Sequence, residues 1–326
     1  MVPGGAACAG EDRKMMAAGG LDPEIAAFAA DQDRTFDADF YALPIAEQRS
    51  RYDAFWRRFD APRPSGIVAE DVPLHLPGRE LALRIYRPTT AEQPLPAIVY
   101  CHGGSWTYGG LDSHDLPTAR LAAIARAAVV AVDYRLAPEH KYPAALIDGW
   151  DALNWVATAG AERGLDARRL AVAGDSAGGA LAAGMALLAR DRGGPGLRAQ
   201  GLVYPALRPS RDDVVAHSPG LDETAVAGAL SSYFARPQDV RDPYAMPLLA
   251  ENFAGLPPAV ICAAELDVLL PDAKDYAAAL ERAGVPSRLI VGKGLPHTFL
   301  RALHLCGAAA RAFEEFGREM GRLLRN

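Results

Sequence analysis

Cysteine is scarce and scattered. The 326 residues hold four, at positions 8, 101, 262 and 306, and none belongs to a C-x-x-C pair. A zinc ribbon or a thioredoxin-like redox motif therefore has no ligands to build from. Cys101 and Cys262 sit inside apolar, strand-like runs, where a thiol packs as a small hydrophobe. That usage suits a reducing compartment, and a cytoplasmic location is expected. Long apolar runs are missing as well. No stretch of about 18 apolar residues occurs, so no membrane span is expected. The leader MVPGGAACAGEDRKMM has no basic region followed by an apolar core, so no signal peptide is expected. Met15-Met16 offers a second start, and the Gly- and Ala-rich residues before it are expected to be disordered. Lys and Arg are not clustered, and the net charge is −6. Nucleic acid and anionic membrane surfaces are thus poor partners. No Gly-Lys-Ser or Gly-Lys-Thr is present, which removes the phosphate loop of nucleotide-dependent enzymes.

Hydrophobic residues, by contrast, make up 50% of the chain, enough for a large core. From Leu21 to about Phe59 the apolar residues recur at helical spacing, until Pro62 and Pro64 stop the pattern. Leu81–Tyr86 then alternates apolar and polar, as a half-buried strand does. Later runs are solidly apolar: 97–100, 129–132, 170–173, 202–204, 259–262 and 289–291. Strands of that kind are buried on both faces, which predicts a parallel sheet covered by helices. Helical patterns fall between them, at about 116–126, 150–163, 177–192 and 273–283, with a closing helix at about 303–324. The expected fold class is α/β, with a mostly parallel sheet flanked by helices. Residues 1–62 are expected to form an N-terminal helical cap segment and 63–326 the catalytic domain. An insertion at about 206–246, broken by prolines, holds a short helical patch near 224–234 and is expected to complete the cap.

Gly174-Asp175-Ser176-Ala177-Gly178 carries the chemistry. It follows a strand and opens a helix, the setting in which G-x-S-x-G forms a nucleophile elbow. A serine at a sharp turn exposes its hydroxyl, and small residues on either side let strand and helix approach. The helix N-terminus then faces developing negative charge. His102-Gly103-Gly104-Ser105-Trp106 follows an earlier strand. Its glycine amides, Gly103 and Gly104, with that of Ala177, are expected to hold an oxyanion. His102 is expected to brace this loop rather than act as a base. Trp106, Tyr108 and Asp175 are the candidates for a substrate pocket.

A serine nucleophile needs a base, and the base an orienting carboxylate. On this elbow the chain order is Ser, acid, His. Of the downstream histidines, His217 lies in the proline-broken insertion and His304 in the last helical run. His297 sits in a loop just after the strand 289–291, at the sheet edge where α/β sites assemble. Asp267 follows the strand 259–263 after a short turn and is the expected acid, with Asp272 second.

Together these residues resemble the bacterial hormone-sensitive-lipase-like esterases of the α/β-hydrolase fold. The block Asp133-Tyr134-Arg135-Leu136-Ala137-Pro138-Glu139 and the segment Asp242-Pro243-Tyr244-Ala245-Met246-Pro247 are similar to stretches of that family. The resemblance implies a Ser176–Asp267–His297 triad, a partly N-terminal cap, short to medium acyl esters as substrates, no metal or cofactor, and a homodimer. This chain departs from the family in placing Ser105 where a third glycine is usual and Thr298 where a glycine often follows the histidine. The acid motif also differs, reading Asp267-Val268-Leu269-Leu270-Pro271-Asp272. Asp133 and Glu139 are expected to pair with Arg135 or His140. The competing readings are the same triad acting on a thioester, amide or lactone, and a ligand-binding homologue without catalysis.

Overall fold

A computed structural model describes residues 20–209, 218–219 and 221–326. Cys8, Met15, Met16 and His217 lie outside the described residues. Eight strands form one sheet in the order β1-β2-β4-β3-β5-β6-β7-β8. They are β1 (Ile67–Leu76), β2 (Arg79–Pro88), β3 (Leu95–Cys101), β4 (Ala128–Val132), β5 (Leu165–Asp175), β6 (Leu197–Val203), β7 (Ala259–Leu266) and β8 (Ser287–Pro296). From β4 to β8 all pairings are parallel, while β1 and β2 run antiparallel at one edge. Every residue of β3 and β4 is buried, as their unbroken apolar runs require. The sequence reading missed β1. Its apolar residues alternate only from Val72, and that edge strand buries just one face.

Helices cover both faces. On one face lie α4 (Asp115–Ala125) and α9 (Gly307–Arg325), sharing a core with Ile98, Tyr100, Val129 and Val260. On the other lie α5 (Ala144–Ala159), α6 (Ala177–Arg192) and α8 (Leu270–Arg282), packed with Val99, Val130, Val172 and Ile261. The alternation of side chains along each strand supplies the two cores. Truncating a buried aromatic such as Phe313 or Phe316 to alanine would cost about 3–5 kcal/mol. The helix expected at 150–163 in fact starts at Ala144, because Pro143 supplies a stop to the preceding loop and Ala144-Ala145 propagate well.

Among the described residues, three short helices precede the sheet: α1 (Ala26–Thr35), α2 (Ala38–Ala42) and α3 (Ile45–Arg57). Their aromatic residues Phe28, Phe40, Phe55 and Trp56 join the α4/α9 core. In the stretch expected to be an insertion, α7 (Glu223–Tyr233) is capped by the Asp222 carboxylate, which accepts from Ala225 N at 2.7 Å. Ala229, Leu230 and Tyr233 pack on the opposite core from the N-terminal helices. Among the described residues, no helix is long and apolar enough to cross a membrane.

Candidate active site

Ser176 stands between the end of β5 and the start of α6, with φ 54° and ψ −118°. A non-glycine residue holds that strained geometry only when its surroundings over-determine it. They do here. Ser176 N donates to Val203 O at 2.9 Å, and Ser176 O accepts from Ala180 N and Ala206 N, each at 3.2 Å. Gly178 is obligatory, since a Cβ there would overlap the Cys101 carbonyl. The hydroxyl points at His297, whose Nε2 lies 3.0 Å from Ser176 Oγ. On the other side of the ring, His297 Nδ1 is 2.7 Å from Asp267 Oδ2. Asp267 Oδ1 is fixed in turn by Leu269 N at 2.8 Å, and His297 N donates to Ser218 Oγ at 3.2 Å. Both His297 and Asp267 are buried. The structure thus brings together the three residues that the sequence singled out, from β5, β7 and β8.

Asp272, the second candidate acid, is elsewhere. It accepts from Leu207 N at 2.7 Å and from Arg208 Nε at 2.9 Å, tying α8 to the chain beyond β6. His304 is remote from this cluster as well, in the turn before α9.

The glycine loop corrects one expectation. Gly103 N is not available to an oxyanion, because it donates to Asp175 Oδ1 at 2.9 Å. The next two residues are different. Gly104 has φ 126° and Ser105 φ 55°, and this left-handed pair turns the chain sharply after β3. Among the described residues, no acceptor is bonded to Gly104 N, Ser105 N or Ala177 N. The free donors beside Ser176 are therefore Gly104, Ser105 and Ala177. The sequence reading named Gly103 and Gly104 as the loop's donors, with Ser105 keeping its amide where a third glycine is usual.

Asp175 was a pocket candidate. Its carboxylate does reach a cavity wall, but it works as a strut: Oδ1 also accepts from Tyr100 Oη at 2.7 Å, and Oδ2 from Tyr204 Oη at 3.4 Å. Burial opposes its charge. Even so, His114, Arg301 and Tyr100 together hold it well below the usual carboxylate range. His102 is buried, stacks on Tyr134 at 4.2 Å and contacts Gly103 O through Nδ1 at 2.9 Å. Burial, with His114 beside it, pushes its pKa down to about 3, so it stays neutral.

Two cavities meet at Ser176. One, of about 60 Å³, is bounded by Phe36, Phe40 and Tyr52 from the N-terminal helices and by Tyr108, His297 and Arg301. The other, of about 20 Å³, is bounded by Trp106, Val226, Ala229, Leu230, Met246 and Leu269. Tyr108 and Trp106 therefore face different cavities. Polar contacts tie the N-terminal helices to the site. Tyr108 Oη donates to Gln48 Oε1. Thr298 Oγ1 donates to Gln32 Oε1 at 2.9 Å. Arg49 donates to Thr107 O at 2.9 Å and Ala137 O at 2.8 Å, and pairs with Glu139 at 2.7 Å. Glu139 thus finds its partner on α3, not in Arg135 or His140. Arg135 instead clasps the buried Asp148 at 2.9 Å.

A family model described as the α/β hydrolase fold matches residues 98–301. Carboxylesterase NlhH of Mycobacterium tuberculosis is 43% identical over 243 residues, covering 72% of this chain and 75% of that protein. An ethyl acetate hydrolase of Pseudomonas putida is 38% identical over 231 residues, covering 69% of this chain and 73% of its own. The crystal structure of a thermostable esterase from Pseudomonas putida superposes with a TM-score of 0.87 at 30% identity. The match covers 94% of this chain and 98% of that one.

Proposed function

The chain belongs to the hormone-sensitive-lipase-like family of α/β hydrolases, and from that premise we propose that it is a serine carboxylesterase of short acyl esters working through an acyl-enzyme. The observation that carries the residue roles is the unbroken line Asp267–His297–Ser176, with three unbonded amides beside the hydroxyl. In this reading His297 Nε2 takes the Ser176 proton as Oγ attacks the ester carbonyl. Gly104, Ser105 and Ala177 donate to the oxyanion, each such donor being worth roughly 3–4 kcal/mol. His297 then protonates the leaving alcohol, and water releases the acid by the same steps in reverse. Asp267 keeps the imidazole in the tautomer that exposes Nε2 as an acceptor. The position of His297 speaks against a binding protein without catalysis.

The two cavities and the helices over them support a cap made from the N-terminal segment and the stretch around α7. Their small volumes favour short limbs on both sides of the ester, in keeping with the name of the Pseudomonas putida relative. The reading extends to a cytoplasmic enzyme, supported by three buried free thiols. It extends also to a homodimer, supported by the open edge of β8, where Val291 is exposed. Gel filtration and cell fractionation test these two points.

The principal test is hydrolysis of p-nitrophenyl esters, acetate through dodecanoate, by the wild type and Ser176→Ala. The expected result is rapid turnover of the short chains and a fall in kcat of about 10⁵-fold or more in the variant. A folded wild type that turns over none of them, or a variant that keeps its rate, would reject the reading. Thioester and amide analogues in the same panel decide which bond is preferred.

A further inference from the structure

Among the described residues, the buried charges have a directly bonded partner of opposite charge or a histidine at ion-pair distance, with one exception. Asp148 pairs with Arg135 and Asp272 with Arg208, while for Asp175 the group at ion-pair distance is His114, which lies between it and Arg301. Among the described residues, Arg301 is the only lysine or arginine that is buried, at 7% exposure, and no described carboxylate lies at ion-pair distance from it. Its contacts are neutral. Nη1 donates to Ser113 O, and Nη2 to Tyr52 Oη at 3.3 Å and to the His114 ring at 2.9 Å, while its guanidinium carbon lies 4.5 Å from the Trp56 ring centre. Burial and the adjacent Arg301 charge hold His114 below the usual imidazole range, so the ring is an acceptor rather than a second cation. The Asp175 carboxylate touches His114, 3.5 Å away, with its oxygens already taken by Tyr100, Gly103 and Tyr204. Asp53 and Asp60 sense Arg301 only at long range, and Asp175 senses it across the His114 ring.

A guanidinium keeps its charge in a protein interior, and burying it with its nearest buried carboxylate, Asp175, held off by a neutral ring is costly. Such a cost persists where a ligand supplies the missing anion. Arg301 forms part of the wall of the larger cavity, the one that opens on Ser176 and His297. An anionic group on a short tether would meet Arg301 while its ester carbonyl lay at the nucleophile. A planar fork of N–H donors also suits a carboxylate better than a neutral oxygen.

We propose that Arg301 makes this cavity selective for esters whose limb ends in a carboxylate, such as half-esters of short dicarboxylic acids. The inference rests on the esterase reading above. The chemistry is unchanged. Ser176 Oγ bonds to the acyl carbon, the C–O bond to the alcohol breaks, and the alcohol leaves with the proton carried by His297. Water then bonds to the acyl carbon and returns a proton to Ser176, so a half-ester and water give a dicarboxylate and an alcohol.

The test compares kcat/KM for charged and neutral partners of matched shape. Monoethyl succinate is set against ethyl levulinate for the acyl limb, and 3-acetoxypropanoate against 4-acetoxybutan-2-one for the alcohol limb. The wild type is expected to favour the charged member of one pair at least tenfold. Arg301→Gln should bring that ratio to one or below, and Arg301→Lys should retain part of it. Calorimetry on Ser176→Ala, which needs no turnover, should show saturable binding of 3-hydroxypropanoate and weaker binding of the neutral 4-hydroxybutan-2-one. No charged preference in either pair in a wild type that turns over p-nitrophenyl acetate would overturn the role of Arg301 alone. Loss of p-nitrophenyl acetate turnover itself would reject the esterase reading, and calorimetry would still decide the anion site. If Arg301→Gln does not fold, the wild-type ratios and the calorimetry stand without it.

Discussion

The two halves of the site are built on different principles. The lower half, at the sheet edge, is held through backbone amides: Ser176, Gly104, Ser105, Asp267 and His297 sit where strands end, and main-chain N–H groups pin their loops to carbonyls and to the Asp175 and Asp267 carboxylates. The upper half is made of side chains from helices that reach the site from two distant parts of the chain, α1–α3 and α7. Under the proposed function, the lower half fixes what reaction is possible, and the upper half which ester gets there. Lesions below should therefore lower kcat for every ester, while lesions above should redistribute rate among esters.

The largest effect after loss of the nucleophile itself belongs to Asp267→Asn. A fall in kcat of about 10⁴-fold is expected, equal across acyl lengths, because an amide favours the wrong imidazole tautomer. Asp272→Asn should instead lower the melting temperature and leave most of kcat; steady-state kinetics paired with calorimetry separates the two carboxylates. An equal loss in both would erase the distinction between catalytic and structural acid.

Gly104→Ala should come next, with kcat down about 10²–10³-fold. A Cβ at Gly104 would overlap the Tyr108 carbonyl, so the loop must shift and misplace its amides. Ser105→Gly keeps the amide and should keep kcat within a few-fold. A Gly104→Ala enzyme with full kcat would contradict the assignment of the oxyanion donors.

Changes in the upper half should be smaller and selective. Ala229→Phe fills the cavity beside Trp106, and Phe40→Ala enlarges the one beside Tyr108. Each is expected to change the length preference of one limb, acyl or alcohol, by about tenfold, as a methylene or two in an apolar pocket does. A matrix of acyl and alcohol lengths reads this out. If both variants move the same limb, the two cavities do not divide the substrate between them.

The smallest effect is in acid stability, and it tests the lower half. His102 is neutral when folded, with its pKa near 3, whereas an unfolded histidine binds a proton near pH 6.5. The unfolded chain then takes up the extra proton, so this contribution is full above about pH 6.5 and is lost as pH falls toward 3. His102→Gln should flatten the slope of urea midpoint against pH over that window. An unchanged slope would assign acid sensitivity to other groups.

Most of the lower half was legible in the sequence. Apolar runs such as 129–132 declare buried parallel strands, and glycines such as Gly178 declare close backbone approach. The strand-to-helix position of Ser176 and the strand-end position of His297 pointed to the same edge. The edge strand β1 escaped because half of it faces solvent. The choice of Gly103 over Ser105 failed for a related reason: nothing in a glycine's identity tells which amide an internal carboxylate has already taken.

The sequence by itself determined the sheet, the elbow and which serine, histidine and aspartate meet at its edge, because those follow from hydrophobic periodicity and from steric limits on a few backbone positions. Tertiary structure alone decided which amides are free, that Arg49 rather than a near neighbour holds Glu139, and that Arg301 is buried without a carboxylate. Those outcomes depend on partners far apart in the chain, as with Arg301 and Tyr52, separated by 249 residues. Packing sets such meetings, and no local pattern of residues encodes them.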